Sequence, residues 1–314
     1  MDTVNITDKP KSFVDRIRLF DRILWILAVF LLWYIVIGDS ISMGFYSLFK
    51  RMNVSNAMHF VLEMYTVTIG GIIALFVLCR LFWRNRAMLK RFLASMSKSI
   101  SYKKLGYGLL LGFMMNFFCI VCALLHGDIK LYYDFSIKGI PLMLFALFSV
   151  CIQSSAEEFW TRGFLYERIN VHYPLWVAML VNGTIFGLLH SFNDGISALA
   201  MADLIACGLA FSLLRWYSGS IWTCMGVHTM WNYTQNLIFG LPNSGLVSET
   251  SIFHMDAVNA TSNLIYDYEF GVEGAVPAVC MDVLLGVICL YLGWRAGRIG
   301  ELFETKEQKG QMIA

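Results

Sequence analysis

Roughly eight runs of about 20 predominantly apolar residues punctuate this chain, and they leave it few ways to fold. They lie at 19–38, 57–79, 106–125, 139–167, 174–192, 196–216, 219–240 and 276–296. A hydrocarbon core of about 30 Å offers no partner to a free N–H or C=O, so a run of that length crosses it as a helix. Of the 314 residues, 58% are hydrophobic and 15% charged, where a soluble domain carries about 25% charged residues. The mean hydropathy is +0.62. The expected fold is therefore all-α: a polytopic transmembrane bundle of about eight helices, with 1–314 forming a single membrane domain.

Charge segregation sets the expected topology. The head carries Lys9, Lys11, Arg16, Arg18 and Arg22 before the first run, with no small-residue cleavage site after it, so that run reads as a retained helix. Residues 80–105 carry Arg80, Arg84, Arg86, Lys90, Arg91, Lys98, Lys103 and Lys104 and no acid, which marks a cytoplasmic loop. The connection from Leu241 to Ala275 is the reverse, with Glu249, Asp256, Asp267, Glu269 and Glu273 and neither lysine nor arginine. It is expected outside, as a plain solvated loop. Arg215, Arg295, Arg298 and Lys306 then fall inside, giving both termini in the cytoplasm. The net charge of +2 says little beside this segregation, and nothing in it suggests nucleic acid. The eight cysteines sit almost wholly in apolar runs, including Cys119 and Cys122, and read as small core residues rather than a disulfide framework.

Against this background three patterns stand out: Glu157-Glu158-Phe-Trp-Thr-Arg162, Phe186-Gly-Leu-Leu-His190 and His228-Thr-Met-Trp-Asn232. An ionisable side chain at the centre of a bilayer costs roughly 2.5–3.5 kcal/mol, so such a cluster implies pairing or chemistry. Glu158 and Arg162, four apart, share a helix face and can pair, while Glu157 points elsewhere and is free to face a cavity as a general base. Phe186 and His190 share a face of the fifth run. His228 and Asn232 share a face of the seventh, where their donors can converge as an oxyanion hole requires. Each pattern alone is compatible with a polar contact between helices; their conjunction on three runs carries the functional reading.

In that conjunction the chain resembles the CAAX protease and bacteriocin-processing group of intramembrane endopeptidases, also called the Abi family. All three of its motifs, Glu-Glu-x-x-x-Arg, Phe-x-x-x-His and His-x-x-x-Asn, occur here in order, within a catalytic core of about 139–240. The resemblance implies peptide-bond hydrolysis in the membrane. It assigns Glu157 and His190 to activating water, His228 and Asn232 to stabilising the oxyanion, and Arg162 to orienting the carboxylates, with Glu158 and Phe186 in support. The substrate class implied is a membrane-associated peptide or protein. Glu157, His190 and His228 also form a three-ligand set able to hold zinc with a position open for water. No H-E-x-x-H is present, and the metal-free glutamate mechanism is the expectation.

Other intramembrane acids, Glu63, Asp203 and Asp282, support a competing reading as an ion-coupled transporter, although no two similar halves are visible. A non-catalytic immunity or scaffolding protein is the other alternative. The compact length and basic inner loops suit a bacterial plasma membrane. One tension is plain: Glu157 falls about 18 residues, or roughly 27 Å, from the outer start of its run, whereas His190 falls about 16 residues from the inner start of its own. Either the fourth helix is long and tilted, or the fifth begins deeper than its hydropathy suggests.

Overall fold

The computed structural model describes residues 13–81, 100–256 and 258–305. The basic stretch from Arg84 to Lys98, and Lys9, Lys11 and Lys306, lie outside the described residues. Each apolar run falls on a helix. α1 comprises Phe13–Phe30, a π-helical Leu31–Gly38 and Asp39–Phe49. α2 is Asn56–Leu81, α3 is Ile100–His126, and α4 runs from Ile137 to His172. α5 is Leu175–Leu189, α6 is Ala198–Ser218, α7 is Ile221–Asn232 extended by the π-helical Tyr233–Ile238, and α8 is Val276–Arg295. A two-stranded antiparallel ribbon joins β1, Leu131–Tyr133, to β2, Phe253–Met255, with Tyr132 opposite His254.

By length and composition, six of these eight helices are long and apolar enough to cross a membrane. α5 is too short at 15 residues. α7 is too polar, because His228, Asn232, Gln235 and Asn236 interrupt it; it is walled in by other helices, and ten of the twelve residues Ile221–Asn232 are buried. The lipid-type surface belongs to the other helices, α5 included: Trp25, Leu81, Leu110, Leu144, Leu180 and Val287 are all exposed. An apolar exterior of this extent is what a bilayer, not water, covers.

Small residues bring α7 close to its neighbours. A methyl group added at Gly108 or Gly112 of α3 would collide with the backbone carbonyls of Thr223 and Val227 on α7. On the other side of the site, one at Gly208 of α6 would lie 2.7 Å from the Cα of Gly183 on α5. Backbones in such contact replace the missing hydrophobic drive between membrane helices with van der Waals packing. Local signals set several ends. The Ser55 hydroxyl accepts from the Met58 amide at the start of α2, Ser197 does the same for Ala200 at α6, and Gly219, with φ of 62°, ends α6 in the left-handed region.

The helices share two ends of opposite character. At one, the ribbon ties the α3–α4 connection to the long loop before α8, and Asn193 Nδ2 donates to the Ser244 carbonyl at 3.0 Å. At the other, Arg298 donates to the carbonyls of Tyr217 and Trp216 at 3.0 Å each, and Lys104 to that of Ser218 at 2.6 Å. The acids of residues 241–275 are thus held away from the basic end. That loop is not a plain solvated one: Leu241, Tyr266, Phe270 and Val272 are fully buried, and they draw it into the bundle.

α4 resolves the tension over depth. Its 36 residues make a helix of about 54 Å at 1.5 Å per residue, far longer than the bilayer core and continuous past Arg168. Its middle, Phe159–Leu165, is π-helical, as are Leu31–Gly38 of α1 and Tyr233–Ile238 of α7. Such segments are frequent at functional sites, since the extra residue per turn re-aims side chains.

Candidate active site

A cavity of about 290 Å³ opens between α1, α2, α4, α5, α6, α7, α8 and the long loop. Glu157, Phe186, His190, His228 and Asn232 all line it. Glu158 and Arg162 stand behind that wall, each fully buried, joined Nη1 to Oε1 at 3.1 Å. Arg162 also donates to the Thr161 hydroxyl at 2.9 Å and the Gly208 carbonyl at 3.3 Å, and its guanidinium lies over the Phe186 ring at 4.4 Å. Phe186 thus props the arginine on one side and meets His190 on the other, ring centres 5.0 Å apart.

His228 lies between the two glutamates. Its Nδ1 is 3.1 Å from Glu158 Oε1, and its Nε2 is 3.7 Å from Glu157 Oε2. Because the Glu158 oxygen also takes the Arg162 guanidinium, an acceptor faces Nδ1, which fixes the proton there and the ring's orientation. This linkage of the first and third motifs through Glu158 was not legible in the spacing. His190 is placed differently. It ends α5, and its Nδ1 sits 2.8 Å from the Phe186 carbonyl, which leaves Nε2 for the cavity. Among the described residues no hydrogen bond joins it to Glu157.

Three further groups belong to the site. Gln153, one turn before Glu157, donates Nε2 to Glu157 Oε1 and accepts from Asn232 Nδ2 at 3.1 Å, bridging the carboxylate to the amide. A glutamine four residues before a glutamate in an apolar helix was a signal available in the sequence. Asn243 and Glu273 come from the long loop, and no local pattern announces them. Asn243 Nδ2 lies 3.0 Å from Glu273 Oε1 and 3.4 Å from Asn232 Oδ1. Glu273 Oε1 also accepts from Trp231 Nε1 at 2.8 Å, and Oε2 from the Ser244 hydroxyl at 2.5 Å. Burial holds the Glu273 carboxyl above its ordinary value, against the opposing pull of those Ser244 and Trp231 bonds.

Asp203 and Asp282 line the deeper part of the same cavity, whereas Glu63 lies away from it, 3.3 Å from His59. Among the described residues no three His, Cys, Asp or Glu side chains are gathered so as to hold one metal ion, and the set Glu157, His190 and His228 does not assemble into one.

Fold and site together define an integral membrane protein with a polar cavity enclosed by its helices. Residues 139–234, which carry all three motifs, match the family model for Rce1-like proteins, described as type II CAAX prenyl endopeptidase Rce1-like. The match covers the segment whose three motifs resemble the CAAX protease and bacteriocin-processing group. The chain is also 26% identical over 139 residues to the uncharacterized protein YyaK of Bacillus subtilis (strain 168), covering 42% of this chain and 46% of that one. It therefore spans about half the length of this curated relative. No solved structure matches it.

Proposed function

We propose that this protein is an intramembrane endopeptidase of the glutamate type, hydrolysing a peptide bond in a membrane-associated peptide or protein. The observation that carries the reading is the convergence of Glu157, His190, His228 and Asn232, from α4, α5 and α7, on one enclosed cavity. Glu157 takes a proton from water held between it and His190, and the oxygen of that water bonds to the scissile carbonyl carbon. His228, protonated on both ring nitrogens between the Glu158 and Glu157 carboxylates, donates from Nε2, and Asn232 donates from Nδ2, to the oxyanion that forms. When the tetrahedral intermediate collapses, the carbon–nitrogen bond breaks and Glu157 returns the proton to the leaving amine. Glu158 and Arg162 hold the His228 ring so that its donor faces the reaction.

The reaction as written uses no metal. The catalytic core is 139–240 within a single membrane domain, its basic end and both termini in the cytoplasm, in a bacterial plasma membrane. Proteomic comparison of membranes carrying the wild-type protein with membranes carrying Glu157→Ala tests this, with a chelator arm on the wild type. Shortened peptides that vanish in the variant and survive chelation are expected. Loss on chelation transfers the chemistry to zinc. An unchanged peptide profile from a folded, equally abundant variant sinks the catalytic reading.

A further inference from the structure

The side-chain amides around the cavity form a chain with one direction, and its direction is set from the long loop. Trp231 Nε1 can only donate, so Glu273 Oε1, 2.8 Å away, is an acceptor. That same oxygen lies 3.0 Å from Asn243 Nδ2, which commits the amino end of Asn243, not its carbonyl, to this corner. The second hydrogen of that amino group faces Asn232 Oδ1, at 3.4 Å. Asn232 must then turn its own amino group away from the loop, where it meets Gln153 Oε1 at 3.1 Å. Gln153 in turn presents its amino group to Glu157 Oε1. Each amide's orientation follows from the one before it.

The loop is locked where this begins. Ser244 is the one non-glycine residue at positive φ among the described residues, at 49°, and it is held there with its hydroxyl on Glu273 Oε2. A non-glycine residue keeps such a conformation only when its surroundings over-determine it. At Gly271, φ of 94°, an added Cβ would strike the carbonyl of Pro242, 29 positions earlier, so the two ends of the loop close on each other beside Asn232.

We infer that Asn243 and Glu273 are positioning residues for the hydrolytic reaction: they orient the Asn232 amide so that an N–H, not a C=O, faces the oxyanion. The inference rests on the proposed function and deepens it. The outer loop thereby becomes part of the catalytic apparatus, although neither residue touches the reacting atoms.

The decisive variant is Asn243→Asp. It is isosteric and, combined with Glu273→Gln so that no second carboxylate faces it, can only accept, so it draws the Asn232 amino group toward the loop and leaves a carbonyl facing the oxyanion. Asn243→Ala imposes no direction. A merely structural role predicts that the isosteric aspartate is tolerated better than alanine; a positioning role predicts the reverse. The experiment measures how fast the wild-type-dependent peptide termini accumulate after induction. It compares membranes carrying wild type, Glu157→Ala, Asn232→Ala, Asn243→Ala and Asn243→Asp at matched abundance, with thermal melts of each purified protein. Asn243→Asp is expected to fall to the rate of Asn232→Ala, about 100-fold below wild type, as loss of one oxyanion donor does, with Asn243→Ala within about tenfold of wild type. Asn243→Asp combined with Glu273→Gln restores the cavity's charge count and is expected to stay inactive; it replaces the single variant if that one does not fold. Native melts with Asn243→Asp as active as Asn243→Ala, or more so, overturn the inference alone. If neither aspartate variant melts cooperatively, Asn243 is a folding residue and the inference also falls. Termini unaffected by Glu157→Ala remove the proposed function and this inference with it.

Discussion

Glu158 and Arg162 have no exposed surface, and each is the other's main compensation for leaving water. Arg162→Ala leaves a carboxylate buried with only His228 against it, and a melt in detergent should show a loss of about 3–5 kcal/mol. Arg162→Lys should recover little of this, because a single ammonium cannot reach the Glu158 oxygen, the Thr161 hydroxyl and the Gly208 carbonyl while stacking on Phe186. Removing both charges together, as Glu158→Gln with Arg162→Met, should regain most of the stability, since the desolvation cost disappears with the pair. Activity should stay lost in that double variant, because the His228 ring loses the carboxylate that fixes it. Gln153→Leu makes a complementary case: its melt should lie close to wild type, while accumulation of cleaved termini slows by about tenfold or more, as for a residue that aligns a base and a donor. Equal rates for Gln153→Leu and wild type would remove Gln153 from the site.

At the level of elements, α7 is the least membrane-like helix and the most enclosed. Its polar residues are tolerated because other helices, not lipid, surround them: Asn116 on α3 donates to Gln235 Oε1 at 2.8 Å, and Tyr65 on α2 to Asn236 Oδ1 at 2.6 Å. Its position depends on the glycines of α3. Gly112→Leu places a side chain against the Val227 carbonyl, one residue before His228, and should both lower stability by about 1–3 kcal/mol and abolish cleavage. Gly106→Leu on the same helix, where an added Cβ meets nothing, is the matched control, read by the same melt. A Gly112→Leu protein that melts and cleaves normally would mean that the α3–α7 contact does not position the site.

For the whole molecule, the two ends do different work, and the acidic end is tied by a clasp of its own. Burial pushes the Asp128 carboxyl up, but hydrogen bonds from His126 and Asn263, the charge of His126 and a bond from Thr261 outweigh it and hold the group below its ordinary 3.8. A depressed folded value means that the clasp contributes fully above that ordinary range and is lost as pH falls through the lower value of the folded state. Limited proteolysis of the 256–265 region should therefore stay slow down to about pH 4 and accelerate only in stronger acid. Asp128→Asn should make cleavage there faster at neutral pH. The sequence by itself determined a great deal at this scale and at the smallest one. Apolar runs specify helices because lipid satisfies no backbone group, the opposed charges of the loops forecast two unlike ends, and residues four apart, as with Glu158 and Arg162, must share a helix face whatever surrounds them. Only the tertiary structure decided which helix is walled in by others, as α7 is, because that depends on the neighbours each helix acquires. It also placed His228 against Glu158 and brought Asn243 and Glu273 beside Asn232. Those pairings join residues 70, 11 and 30 or more positions apart, through helix packing and loop closure that no local spacing encodes.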